Sequence, residues 1–336
     1  MGEGTGHPRP GREPRPWRSP TISQITFSLR PVPPFRLDLT VWALRRRPSN
    51  AVDRWDGATY SRVLVVDGRA VGVRVGQDGP PEDPSLRVEA RARGRAVERE
   101  VLEAALSRML GLHLSLDAFY ARARGDRHLG PLAARFRGLK PPRFPTVFEC
   151  LINAFACQQV TLALGIVLLN RLAERYGRRT GRASAPAFPG PADLAGGRIE
   201  DLREMGFSRH KARAILELAQ EVAAGRLDLE ALEAVGDEEA LGRLLEIRGV
   251  GRWTAEYVLL RGLGRLHVFP GDDVGARRNL QRWLGLRHPL DYGAVRRALA
   301  RWAPYAGLVY FHLLLDHLER SGALQGASAA GAGMSR

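Results

Sequence analysis

The sequence predicts an α+β protein: a small N-terminal antiparallel sheet followed by a mostly α-helical body. Three observations carry this. Short extended segments, "QITFSLR" and "YSRVLVVDGRAVGVRV", fall early, with Asp67-Gly68 between apolar runs as a hairpin turn. Prolines then interrupt "LKPPRFP", residues 139–145. Beyond them, to about residue 320, apolar residues recur at helical spacing. A chain of 336 residues suits two domains. The expected bounds are a disordered basic N-terminus over 1–20, an α+β domain over 21–140, a helical domain over 141–320 and a disordered tail over 321–336.

Each element has a local reason. Residues 1–20 are rich in Pro, Gly and Arg, and "GALQGASAAGAGMSR" is equally poor in core-forming side chains. Helical character begins near Val97, in "VEREVLEAALSRML". Thr146 and Glu149 fit a capping box before "CLINAFACQQVTLALGIVLLNRLAERYG", which reads as one or two buried helices. Ser208 is the expected N-cap of the next helix, with Gly225 just beyond its end. "DLEALEAVGDEEALGRLLEI" reads as short helices, and "DYGAVRRALARW" and "AGLVYFHLLLDHLER" as the last strong ones.

Composition bounds the function. No run of about 18 apolar residues is present, so no membrane helix is expected. The N-terminus lacks the apolar stretch of a secretory signal, and a cytoplasmic protein is the simplest reading. Two cysteines, Cys150 and Cys157, exclude a disulfide scaffold and a four-cysteine cluster within this chain. The net charge is +15, carried by arginine, since lysine occurs only at 140 and 211. That charge suits phosphate backbones. A GC-rich compositional bias also produces it, so charge alone does not establish nucleic-acid binding.

Two stretches carry chemistry. In "EIRGVGRWTAEYVLLRG", Gly249 and Gly251 form a tight turn between two helices, with Val250 turned inward. Backbone amides at the start of the second helix, around Gly249, Gly251, Arg252, Trp253 and Thr254, can hold an anion such as a DNA phosphate. Arg252 can add a side-chain contact, whereas the side chains of Thr254 and Glu256 are given no chemical role. A structural corner between helices would use the same glycines. In "HVFPGDDVGARR", Asp272 and Asp273 precede another helix. Either can cap it. A carboxylate there can also stabilise an oxocarbenium-like sugar and align water.

Together, "GVGRWTAEYVLLRGLGRLHVFPGDDVGARR" resembles the core of the helix-hairpin-helix DNA glycosylase superfamily, and within it the bacterial alkylation-repair branch of the DNA-3-methyladenine glycosylase II type. The N-terminal α+β region, "CQQVTLALG" and "MGFSRHKARAILELA" follow in the expected order, so the resemblance covers roughly residues 20–320. It implies a flipped nucleotide in damaged double-stranded DNA and hydrolysis of its N-glycosidic bond. Asp273 matches the catalytic aspartate, and Asp272 becomes a supporting cap or orienting group. Trp253 stands where a lyase branch carries its Schiff-base lysine, so a monofunctional glycosylase is expected.

The resemblance also implies a wedge, for which Gln158 and Gln159 are the candidates. Gln159 falls where the family member has an apolar side chain. For an aromatic base pocket the candidates are Phe155, Trp253, Trp302, Tyr305, Tyr310 and Phe311. The family's pocket tryptophan in the final helix falls on Leu314, which removes a stacking surface and implies a different substrate range. His312 is read as structural. No cofactor and no catalytic metal are expected. The partner is duplex DNA rather than a membrane, and a monomer is expected. Alternatives are a glycosylase for deaminated, etheno or oxidised purines, and a non-catalytic damaged-DNA-binding protein.

Overall fold

The computed structural model describes residues 22–95, 97–181 and 183–324. The expected basic N-terminus and most of the expected tail lie outside the described residues. The α+β class stands. Strands β1 (Ile22–Leu29), β2 (Arg54–Trp55), β3 (Thr59–Val66), β4 (Arg69–Asp78) and β5 (Ser85–Arg93) form one antiparallel sheet in the order β1-β5-β4-β3-β2. Asp67 and Gly68 join β3 to β4 with φ of 48° and 70°. Two positive φ values give the turn whose twist matches paired strands.

Helix α1 (Leu37–Arg45) is inserted between β1 and β2, and α2 (Arg99–Leu110), α3 (Asp117–Ala123) and α4 (Leu129–Arg135) follow the sheet. The expected boundary lies in the extended stretch between α4 and α5 (Val147–Cys157). After α5 come α6 (Leu162–Tyr176), α7 (Pro191–Leu194), α8 (Ile199–Glu204), α9 (Arg209–Ala223), α10 (Asp237–Leu245), α11 (Arg252–Arg261), α12 (Val274–Trp283), α13 (Tyr292–Leu299) and α14 (Ala306–Arg320). The "one or two helices" after residue 146 are two, broken where Gln159 takes a positive φ of 52°. Helix starts follow their caps: Thr146, Thr161 and Ser208 each accept a bond from the amide three residues on.

Three apolar clusters hold these parts together. One lies between the sheet and α1 and α2, around Val41, Val73, Val88 and Leu106. A second joins α5, α6, α9 and α11. In the third, Leu39, Trp42 and Ala43 of α1 meet α3, α4, α12 and α14. Helix α1 is therefore buried on both sides, and its C-terminal end is carried into the helical body. No helix among the described residues is long and apolar enough to cross a membrane.

Candidate active site

The turn between α10 and α11 is built as a hairpin. Gly249 has a φ of +82°, and a methyl there would stand 3.1 Å from the Ala214 side chain. The Val250 amide donates to the Ile247 carbonyl at 3.0 Å, and the Val250 side chain is buried in the core. Gly251 is the N-cap of α11, with extended backbone and open space where a side chain would start. Amides in the first turn of a helix have no intrahelical acceptor. Those of Arg252, Trp253 and Thr254 belong to that turn, beside the open surface at Gly251.

Gln158, a wedge candidate, is committed elsewhere. Its amide nitrogen donates to the Gly249 carbonyl at 2.9 Å and to Thr254 Oγ1 at 2.8 Å, so it braces the hairpin. Lys211 Nζ donates to the carbonyls of Ala156 (3.2 Å) and Gln158 (2.6 Å), closing the C-terminal end of α5. Gln159 is exposed at the break between α5 and α6. The Thr254 hydroxyl and the Lys211 ammonium are thus both structural parts of the site that the residue pattern alone does not reveal.

The chain returns from α11 through Gly271 to the two aspartates. Asp273 is the N-cap of α12: Oδ1 accepts from the Ala276 amide at 2.8 Å, and Oδ2 accepts from Trp253 Nε1 at 3.4 Å. Of the two roles expected for Asp272, the cap goes to its neighbour and the orienting role remains. Asp272 accepts from Arg252 Nε at 2.7 Å and lies 2.6 Å from Arg252 Nη2. The Arg252 guanidinium lies 4.0 Å above the Tyr292 ring, so it is tied to the aspartate loop. Beneath it, buried Glu256 accepts from the Gly271 amide (2.9 Å) and the Tyr292 hydroxyl (2.5 Å). Burial raises the Glu256 carboxyl above its ordinary range. Glu256 was given no role by the sequence, yet it fixes the loop that presents Asp273.

These parts border a cleft of about 1550 Å³. Asp273, Trp253 and Tyr257 form one wall, with the two rings 5.5 Å apart and tilted by 33°. Helix α14 supplies Tyr310, Leu313, Leu314 and His317, which share one face at spacings of three and four. Burial, then the charge of Asp273, pushes the Tyr310 hydroxyl well above its usual pKa. Of the six aromatic pocket candidates, only Trp253 and Tyr310 line the cleft.

The other four do not line it: Phe155, Trp302 and Phe311 are core residues and Tyr305 is half-buried against the core, which corrects the expectation for them. Phe155 backs Gly249 from α5, Trp302 donates to Asp126 at 2.8 Å, and Tyr305 meets Phe119 edge-on. Phe311 follows Tyr310 by one position, a turn of about 100° around the helix, which carries it off the cleft face and onto Arg261. The sequence pattern does not single out Tyr257, although its place one turn beyond Trp253 is a usable signal. Nor does it single out Arg46, which lies in an arginine run that reads as solvated charge.

Residues 152–304 match the family model described as HhH-GPD superfamily base excision DNA repair protein. DNA-3-methyladenine glycosylase 1 of Schizosaccharomyces pombe is 30% identical over 168 residues, 49% of this chain and 68% of that protein. DNA-3-methyladenine glycosylase 2 of Escherichia coli is 32% identical over 187 residues, 55% of this chain and 63% of that protein. Among solved structures, the 3-methyladenine DNA-glycosylase from Archaeoglobus fulgidus superposes with a TM-score of 0.76 at 28% identity, covering 88% of this chain and 98% of that one.

Proposed function

The chain belongs to the HhH-GPD superfamily of base excision DNA repair proteins, and from that premise we propose that it hydrolyses the N-glycosidic bond of alkylated purines such as 3-methyladenine and 7-methylguanine in duplex DNA. The names of its relatives support a glycosylase for alkylated bases. The observation that carries the mechanism is Asp273, held by two hydrogen bonds at the wall of the cleft and one helix away from free hairpin amides.

In this reading the hairpin amides from Gly251 to Thr254 hold a backbone phosphate, and Gln159 fills the gap left by the flipped nucleotide. The base enters beside Trp253, Tyr257 and Tyr310. The C1′–N bond breaks, and its electron pair leaves with the base. Asp273 stabilises the sugar cation and orients water, which adds to C1′ and loses a proton. An N-alkylated purine is already cationic and leaves as a neutral base, so no strong acid is required. No lysine stands at position 253 to form a Schiff base, and Lys211 is held by two carbonyls, which supports a monofunctional enzyme. One chain supplies the whole site, which supports a monomer.

Methylated duplex DNA tests this, with released bases identified by chromatography for wild type and Asp273→Asn. Asparagine caps a helix about as well as aspartate, so folding is preserved. Release of 3-methyladenine should fall by about 100-fold or more in the variant. Wild type that binds duplex and releases no methylated base would remove the substrate assignment. Unchanged release by the variant would remove Asp273.

A further inference from the structure

Arg46 is a buried cation in the cleft that the mechanism above does not use. It is the C-cap of α1, in the left-handed region with a φ of 61°. A non-glycine residue there carries a backbone cost. The conformation sends the side chain from the sheet-bearing half into the helical body. Its side chain lines the cleft and is 4% exposed. Nη1 donates to the Tyr257 hydroxyl at 3.1 Å, and Nη2 donates to Asn153 Oδ1 at 2.6 Å. Nη1 also reaches the Cys157 sulfur at 4.0 Å, and none of these acceptors is a carboxylate. Nε is buried without a partner. Among the described residues no carboxylate lies within ion-pair distance of Arg46, and the cleft's own Asp273 is engaged with Trp253 and Ala276.

A second guanidinium strengthens the same field. Arg261 is fully buried behind the aromatic wall, 5.7 Å from the Tyr257 ring and 5.2 Å from Phe144, and donates to the Ala43 carbonyl. Its Nε and Nη1 have no partner. The inner wall of the cleft therefore carries positive charge without a compensating carboxylate.

Resting on the glycosylase reading above, we infer that Arg46 widens the lesion range beyond cationic alkylated purines to uncharged damaged bases: its fixed guanidinium stabilises the negative charge that develops on such a base as it leaves. The effect grows along the reaction. When the C1′–N bond breaks, its electron pair moves onto the base. A cationic purine leaves neutral and gains nothing from a nearby cation. An uncharged purine leaves as an anion, which the guanidinium stabilises until water supplies a proton. Such an interaction is stronger in the transition state than in the bound lesion, so it raises the rate for uncharged bases alone. Arginine stays charged throughout and acts as an electrostatic stabiliser, not as an acid.

The test compares single-turnover release from duplexes carrying one hypoxanthine or one 7-methylguanine, for wild type, Arg46→Gln and Arg46→Lys, with thermal unfolding of each. The hypoxanthine to 7-methylguanine ratio should fall by about 100- to 1,000-fold in R46Q, the range expected on losing one fixed donor to developing charge. R46K retains the charge and should keep most of the preference. If R46Q does not fold, Arg46→Met takes its place as the neutral variant: a ratio that falls in it but not in R46K supports the inference, and an unchanged ratio overturns it. A ratio unchanged in R46Q would make Arg46 a brace for Tyr257 and Asn153 and nothing more. Wild type that releases 7-methylguanine but no hypoxanthine would overturn the inference and leave the glycosylase reading intact. Release of neither base would overturn both, and the methylated-DNA assay reports that failure independently.

Discussion

In the proposed mechanism Asp273 combines at one residue two tasks, capping and catalysis, that the sequence offered to a pair. One carboxylate oxygen caps α12 and the other accepts from Trp253 beside it on the same wall of the cleft. Capping fixes the side chain, so the free direction of the carboxylate is set before any substrate arrives. An Asp-Asp pair announces a helix start but does not say which member caps it. Arg46 was less legible still, because its partners Asn153 and Tyr257 lie 107 and 211 positions away. His312 shows how burial acts on a single group. It is fully buried against Phe119, its Nδ1 bonds the Leu308 carbonyl, and its Nε2 has no partner. Burial lowers its pKa from 6.5 to about 4. A depressed pKa gives stability that is complete above 6.5 and lost as the pH falls towards 4, because the unfolded chain takes up the proton first. The loss should approach roughly 3 kcal/mol. Urea unfolding between these pH values should show a steeper dependence in wild type than in His312→Phe; parallel curves would exclude His312 as the source.

At the scale of elements, the hairpin depends on one glycine more than on the other. Gly249 needs its positive φ and has Ala214 close by, whereas Gly251 is extended and open. Gly249→Ala should cost about 1–2 kcal/mol for the left-handed backbone alone, with more from the contact. It should also weaken duplex binding by turning the amides of α11. Gly251→Ala should change stability by less than about 1 kcal/mol. Denaturant midpoints and anisotropy on a labelled duplex separate the two, and equal losses would reject the distinction. Elements were legible where one signal dominated, as with the caps at Thr146 and Ser208 or the turn at Asp67-Gly68. Strand β5 was harder. Its residues alternate inward and outward as a strand's do, but inward Ala90 and Ala92 have low strand propensity and the outward residues are mostly arginines. Helices α1 and α11 are buried nearly all round and show no polar face to mark their orientation.

Across the whole molecule, the sheet and the helical body meet at a buried charge network. Arg62 of β3 is 1% exposed. Its Nη1 donates to Asp53 Oδ1 at 2.7 Å and its Nη2 to Glu149 of α5 at 2.5–2.6 Å, while the Tyr60 hydroxyl completes Asp53 at 2.7 Å. Burial pushes the Glu149 carboxyl up and Arg62 pulls it back. Two carboxylates held by one guanidinium make the cation hard to remove. Arg62→Met leaves both without a cationic partner and should destabilise by about 3–5 kcal/mol. Adding Asp53→Asn and Glu149→Gln removes those charges and should recover much of the loss. The same network bears on function, because Glu149 lies on the helix that ends at the Gln158-Gln159 turn, and α1 delivers Arg46 to the same cleft from the sheet side. In R62M, below its unfolding temperature, base release should therefore fall with the loss of registry between the two halves, and the triple variant should regain part of it. Stability loss without any change in release would confine the network to folding; loss of less than about 1 kcal/mol would mean the junction is held by the apolar clusters alone.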